Sequence, residues 1–245
     1  MPFTFSHPAI ILPLRYLPKK WFSLTGLVIG SITPDFEYFI RMKIQSNYSH
    51  TFYGIFWFDL PLAILLSFIF HYFIRNALFY NLPVFIKQRV IDYTSFDWNT
   101  HFKQNWIIIL ISIIIGIVSH LLWDSFTHNH GYFADHLSIL RNNFLLFGNE
   151  IPIWKIAQHL STLIGGIVIP IALLKLPKSK KQKPTNYKKY WITIVICTVM
   201  ILILRFSIYY NTKAFGNIIV TIISAFLISL ILTPLLIKSR PSEKI

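Results

Sequence analysis

Residues 105–118 read NWIIILISIIIGIV and run directly into 119–128, SHLLWDSFTH. The first stretch carries no charge, and with the residues after it reaches the roughly 20 apolar positions that a bilayer-crossing helix needs. The second places His120, Asp124 and His128 at i, i+4 and i+8 on that same helix. Four residues turn a helix by about 400°, so this stripe drifts only ~40° per step while rising ~6 Å. Ionisable side chains are costly at membrane depth and mark a site or a buried pair. His120 and His128 stand about 12 Å apart along the axis, too far to share one ion. Asp124 between them could bridge two ions, with one histidine on each side. Metal ions about 3.5–4 Å apart form a clamp suited to phosphoester hydrolysis.

The rest of the chain agrees with a lipid environment. Of 245 residues 54% are hydrophobic and only 13% charged, against about a quarter charged in an ordinary soluble domain. The mean hydropathy is +0.56. Apolar runs at roughly 54–74, 105–127, 156–174 and 215–237 are long enough to span, and 190–209 joins them if Arg205 snorkels. Two shorter runs, 7–14 and 21–33, flank the turn LRYLPKK. The expected fold is all-α, a polytopic transmembrane helical bundle with a short N-terminal helical hairpin and about five full spans. Three regions follow: a membrane-embedded bundle over 1–175, a basic linker over 176–189, and an accessory helix pair with a short tail over 190–245.

The net charge of +14 is concentrated, with seven of the 23 basic residues between Lys175 and Lys189. Lysine clusters beside spans set orientation and meet anionic headgroups, so the basic balance points to a bilayer partner and not to nucleic acid. Placing 175–189 in the cytoplasm puts 75–104 and the tail KSRPSEK there too, and turns 129–155 outward. Cys197 is the only cysteine, which excludes a disulfide framework and a thiolate zinc site.

Under that topology the ionisable residues gather on the outer side. The hairpin returns His7 beside Asp35 in GSITPDFEYF, His50 sits in NYSHTFYG at the head of a span, and the 120/124/128 stripe ends the next. Glu37 and Asp59 are candidates for a general base or for a carboxylate that orients a ligand histidine. His71 and His101 read as polar groups at the opposite boundary, and FADHLSIL (133–140) as an interfacial stretch. An all-His/Asp donor set suits zinc, manganese or iron alike.

MPFTFSHPAIILPL, GSITPDFEYF, SHTFYG, WFDLPL and SHLLWDSFTH together resemble an uncharacterised bacterial integral membrane family described as a domain of unknown function. The order is also similar to inner-membrane metal-dependent hydrolases, whose pattern is a leading His, an LPDID-like segment, an HRGxTHS-like segment and HLLLDxxT. Carried across, the resemblance implies metal ligands at His7, Asp35, His50, His120 and Asp124, with His128 extending the last motif. Glu37 stands where that group has a second aspartate, and SHTFYG keeps one histidine where it has two. The implied function is a metal-dependent hydrolase in the bacterial inner membrane, acting on a phosphoester of a lipid or amphipathic substrate. Two alternatives use the same residues: a scaffold or partner-binding protein with a structural metal or polar network, and an ion transporter.

Overall fold

The computed structural model describes residues 3–18, 20–146, 148–180, 187–208 and 215–237. Residues 181–186 of the basic linker, the loop 210–214 and the tail from 238 lie outside the described residues. The chain is almost wholly helical. Among the described residues, five helical stretches are long and apolar enough to cross a membrane: Ile55–Asn81, Trp98–His136, Ile153–Leu174, Tyr187–Ile208 and Phe215–Leu236. Between 11% and 39% of each apolar stretch is buried within the protein, so most of its side-chain surface is left for lipid. The protein is a polytopic membrane protein with five candidate spans, matching the runs expected from the sequence.

Contacts divide the chain into two compact units. The first comprises Met1–Asp35, Asn47–Ile64 and His101–Lys175. It opens with a 3-10 turn, Thr4–Ser6, then α1 (Pro8–Ile11) and a further 3-10 turn, Leu12–Tyr16. α2 (Leu24–Ile32) has nine residues, only ~13 Å of helix against a hydrocarbon core of about 30 Å. Ser23 caps it by accepting a hydrogen bond from the Gly26 amide. α1 packs back on α2, giving the short helical hairpin foreseen at the N-terminus. A 3-10 turn, Thr33–Asp35, follows α2 with no break in the helical backbone, Thr33 before Pro34 staying at φ −61°, ψ −38°.

The second unit comprises Phe36–Ser46, Leu65–Thr100 and Leu176–Ile245. It begins with α3 (Phe36–Arg41). The first span passes from one unit to the other as a π-helical turn (Ile55–Asp59), α4 (Leu60–Ile69), a second π-helical turn (Phe70–Ile74) and α5 (Arg75–Asn81). α6 (Val84–Val90) leads to α7 (Trp98–Thr127), which carries a kink at Asn105, φ −130°. After α7, within the first unit, come α8 (Tyr132–His136), α9 (Ser138–Arg141) and a hairpin of β1 (Asn143–Leu146) with β2 (Asn149–Pro152). α10 (Ile153–Leu174), α11 (Tyr187–Ile208) and α12 (Phe215–Leu236) complete the chain.

In the second unit α11 and α12 pack together, joined by Thr198 donating to Ser229 at 3.1 Å. Tyr190, Ile194 and Leu230 form a buried apolar cluster there. The Trp191 indole N–H donates to the Asn81 carbonyl at 2.8 Å. Arg75 lies buried, with its guanidinium 2.9 Å from His71 Nδ1 and donating to the Phe96 carbonyl at 2.8 Å. His71 also stacks on Trp98, centroids 4.4 Å apart. His71 therefore serves a helix-stapling polar cluster, in keeping with the structural reading of that residue.

Candidate metal centre

α7 is the spine of the first unit's site. His120 and Asp124 face inward one turn apart, and His128 follows just past the helix end. α2 lies against α7 at van der Waals range because both surfaces lack side chains at the crossing. A Cβ on Gly30 would collide with the Ile113 carbonyl, and one on Gly116 would meet the Leu27 carbonyl at 2.5 Å. That approach lets the Ser31 carbonyl accept a 2.7 Å hydrogen bond from His120 Nδ1. The same helix end delivers Asp35, fully buried.

The N-terminal turn is held by α10. Gly165 leaves room for Ser6, whose Cβ would stand 2.5 Å from a Cβ at that position. The Phe3 amide donates to Thr162 Oγ1 at 3.0 Å, and the Ser6 hydroxyl donates to the Thr162 carbonyl at 3.2 Å. Docked in this way, the turn carries Thr4 and His7 into the centre. Thr4 donates a 2.6 Å hydrogen bond to Asp35 Oδ2. His50 comes from the loop before the first span, at φ 60°. A non-glycine residue held there costs energy, and such positions cluster at functional sites. Ser49 Oγ lies 3.0 Å from His50 Nδ1, so the other ring nitrogen is turned to the centre.

Asp35, His50, His120 and Asp124 each offer a ligand atom, and these atoms all lie within 4.8 Å of one another. Asp124 Oδ2 stands 3.3 Å from His120 Nε2 and 3.6 Å from His50 Nε2. Asp35 Oδ1 stands 3.5 Å from His50 Nε2 and 3.6 Å from His120 Nε2. The other Asp124 oxygen faces different partners: His7 Nε2 at 3.5 Å and His128 Nδ1 at 3.4 Å. His128 Nδ1 also lies 3.2 Å from the Asp124 carbonyl.

These separations are longer than hydrogen bonds, which close at about 2.7–3.2 Å. They match another geometry. Two donors each ~2.05 Å from a tetrahedral ion stand about 3.3–3.4 Å apart. Buried polar atoms are normally satisfied, yet His7 Nε2, Asp35 Oδ1, His120 Nε2 and Asp124 Oδ1 have no hydrogen-bond partner among the described residues. All four point into the cluster. Two carboxylates also balance the charge of one dication. The buried Asp/His cluster therefore fits a divalent metal in donor type, spacing and charge.

Electrostatics outside the spans agree with a tightly coupled centre. Burial holds the His7 imidazole neutral, its pKa lowered to about 3. Burial also opposes charge on His50, but the adjacent carboxylates of Asp124 and Asp35 outweigh it and raise that pKa to about 9. For Asp35 burial is outweighed in the same way, by His120 and His50, and its carboxyl sits below the ordinary carboxylate value.

The other two expected site residues, Glu37 and Asp59, are not among the four residues of that group. Glu37 is buried in the second unit with its carboxylate on Arg41 at 2.8 Å, and it accepts from Ser46 at 3.2 Å. Asp59 is fully buried at the end of the first π-helical turn, in the first unit. Two contributors had no distinct sequence signal: Thr4, on Asp35, and Ser49, beside His50. Each is an ordinary hydroxyl in a loop or turn, informative only once its neighbour is known.

Residues 1–235 match the family described as Domain of unknown function (DUF4184), and the chain belongs to it. No curated protein and no solved structure matches the chain.

Proposed function

We propose that this member of the DUF4184 family is a metal-dependent hydrolase of the bacterial cytoplasmic membrane, cleaving a phosphoester in a lipid or other amphipathic substrate. The observation that carries the reading is the division of Asp124. One of its oxygens faces His50 and His120, and the other faces His7 and His128. A carboxylate so placed suits two adjacent cations, each with its own histidines. Such a pair supplies Lewis-acid polarisation of a phosphoryl oxygen and an activated water.

In this reading His7, Asp35, His50, His120, Asp124 and His128 are the ligands. Asp35 and Asp124 would offset half of the charge of two dications. The Ser31 carbonyl fixes the His120 tautomer so that Nε2 keeps its lone pair. Thr4 and Ser49 orient Asp35 and His50. Glu37 is tied to Arg41 and Ser46 and is given no proton-transfer role. Asp59 is the candidate for orienting a ligand from behind.

A structural metal site would be closed on every side. Here two edges stay open, since the His50 and His128 side chains are 21% and 25% exposed while His120 is fully enclosed. Substrate would approach between those two histidines. The basic segments at 75–104 and 175–189 support a cytoplasmic position for themselves, with the His/Asp centre on the outer face.

The test is elemental analysis of detergent-purified protein, wild type beside Asp124→Ala and His120→Ala, with phosphodiester and phosphomonoester turnover measured on the same preparations. Bound zinc, manganese or iron lost together with turnover in both variants is expected. An Asp124→Ala protein that kept both would overturn the reading.

A further inference from the structure

The chain between α7 and α10 has surface that the other described residues leave uncovered. β1 and β2 pair antiparallel, with Phe144 opposite Ile151 and Leu145 opposite Glu150. A two-stranded hairpin alone is marginal in water and needs a packed face. Yet all of β1 is exposed, and Phe144, Leu145 and Leu146 alternate so that both faces of the ribbon present apolar side chains. Just before it, Leu137 and Ile139 are exposed as well, Ile139 at 63%.

What covers this surface follows from where it is attached. Spans lie on both sides, Trp98–His136 before it and Ile153–Leu174 after it. Ile153 begins α10 directly after the hairpin's last residue, with no spacer. The hairpin is thus continuous with the lipid-facing surface, at the end of α7 where His128 lies. Its flanks carry Arg141, Trp154 and Lys155, the basic and aromatic residues that suit headgroup level. The ladder pairs the inner edges of the two strands, and their outer-edge backbone groups are met by water and headgroups at interfacial depth, outside the hydrocarbon core.

We propose that residues 137–146 and 148–152 form an interfacial element seated in the lipid headgroup layer. Ile139, Phe144 and Leu145 reach the acyl boundary on the membrane face that carries the His/Asp centre. The partner is the bilayer leaflet itself. One consequence concerns the cavity of about 400 Å³ lined by Asn129, His130, Ala134, Asp135, Arg141 and Trp154, which begins one residue past His128. Seated in this way, the cavity opens at headgroup depth, where a lipid's polar group could enter without leaving the membrane. The proposal stands whether or not the metal centre hydrolyses anything.

The test uses Cys197→Ala as background, since Cys197 is the only cysteine. Bimane is attached at Phe144→Cys, Leu145→Cys or Ile139→Cys, in full-length protein reconstituted into vesicles of phosphatidylcholine and phosphatidylglycerol. Val199→Cys, in mid-span, and Lys178→Cys serve as lipid and aqueous references. The expected result is loss of emission to lipids with a nitroxide near the headgroup, together with protection from aqueous iodide. Quenching by iodide like the Lys178 reference would overturn the proposal. Protection from both quenchers would overturn it as well, by showing that protein covers the ribbon. Ile139 lies outside the hairpin, so its result survives if a label disturbs β1. Repeating the measurement with Asp124→Ala should leave the quenching unchanged, which separates this proposal from the hydrolase reading.

Discussion

His7 and His120 lie face to face, ring centroids 3.8 Å apart and planes 19° from parallel, although 112 residues of chain separate them. Their Nε2 atoms address opposite oxygens of Asp124, at 3.5 Å for His7 and 3.3 Å for His120. Two stacked, buried imidazoles cannot both carry a proton cheaply, so the pair is best served as neutral ligands on two sides of one carboxylate. In the two-ion reading, His7→Ala should then remove one ion and leave the His50/His120/Asp35 side loaded. His120→Ala should remove the ion on its own side and weaken the other through Asp124. Elemental analysis of the two variants checks this. Equal, complete metal loss in both would show a single shared ion instead.

Metal binding should release protons and strengthen with rising pH. In the metal-free protein the His50 pKa is raised from 6.5 to about 9 by Asp124 and Asp35, against the effect of burial. That charged imidazolium stabilises the metal-free fold fully below pH 6.5, and the contribution is lost as pH rises through about 9. A cation must displace the same proton to use the nitrogen. Affinity should therefore rise about tenfold per pH unit across that window. Isothermal titration in buffers of different ionisation enthalpy measures the proton count. His50→Ala should flatten the slope by one proton.

In the metal-centre reading, Thr4 would orient a ligand that it does not itself touch. Its hydroxyl satisfies Asp35 Oδ2 at 2.6 Å, leaving Oδ1 for the centre. Thr4→Val keeps the shape and strands a buried carboxylate oxygen, at a cost of about 1–3 kcal/mol. Loss of such an outer hydrogen bond typically weakens metal affinity about 10–100-fold. Thr4→Ser should restore most of it. A metal-binding isotherm on the three proteins decides, and an unchanged Thr4→Val isotherm would deny Thr4 any orienting role.

The parts of this molecule legible in the sequence share one property: their spacing is set by a regular helix. The spans showed as apolar length, and the 120/124/128 stripe as helical period, because lipid and the 3.6-residue turn act on every position alike. The convergence of His7, Asp35 and His50 on that stripe needed more. It depends on two small-residue crossings and on a loop residue at φ 60°, none of which has a period. The π-helical turns at 55–59 and 70–74 and the β hairpin were hidden for the same reason. IFWFD and FHYFI are as apolar as their surroundings, and NFLL is too short to distinguish a strand from an interfacial helix.

The α2–α7 crossing therefore links packing to chemistry, and Gly30→Val tests that link. The added side chain has no space, because the Ile113 carbonyl already meets the position a Cβ would take. Backbone cannot yield as a flexible side-chain tip would, so α2 must move off α7. Overpacking of this kind costs about 1–3 kcal/mol. The displacement acts on two site contacts carried by α2 and the turn after it: the Ser31 carbonyl on His120 Nδ1 and the Asp35 carboxylate opposite His120 Nε2. The expected outcome is a lowered melting temperature together with loss of metal from the His50/His120/Asp35 side. Gly166→Val is the control, since a Cβ there meets nothing within 4 Å. It should leave both readings at the wild-type level. If Gly30→Val lowered the melting temperature and kept its metal, the cluster would be assembled by α7 and the loops alone, and the close approach of α2 would serve stability only.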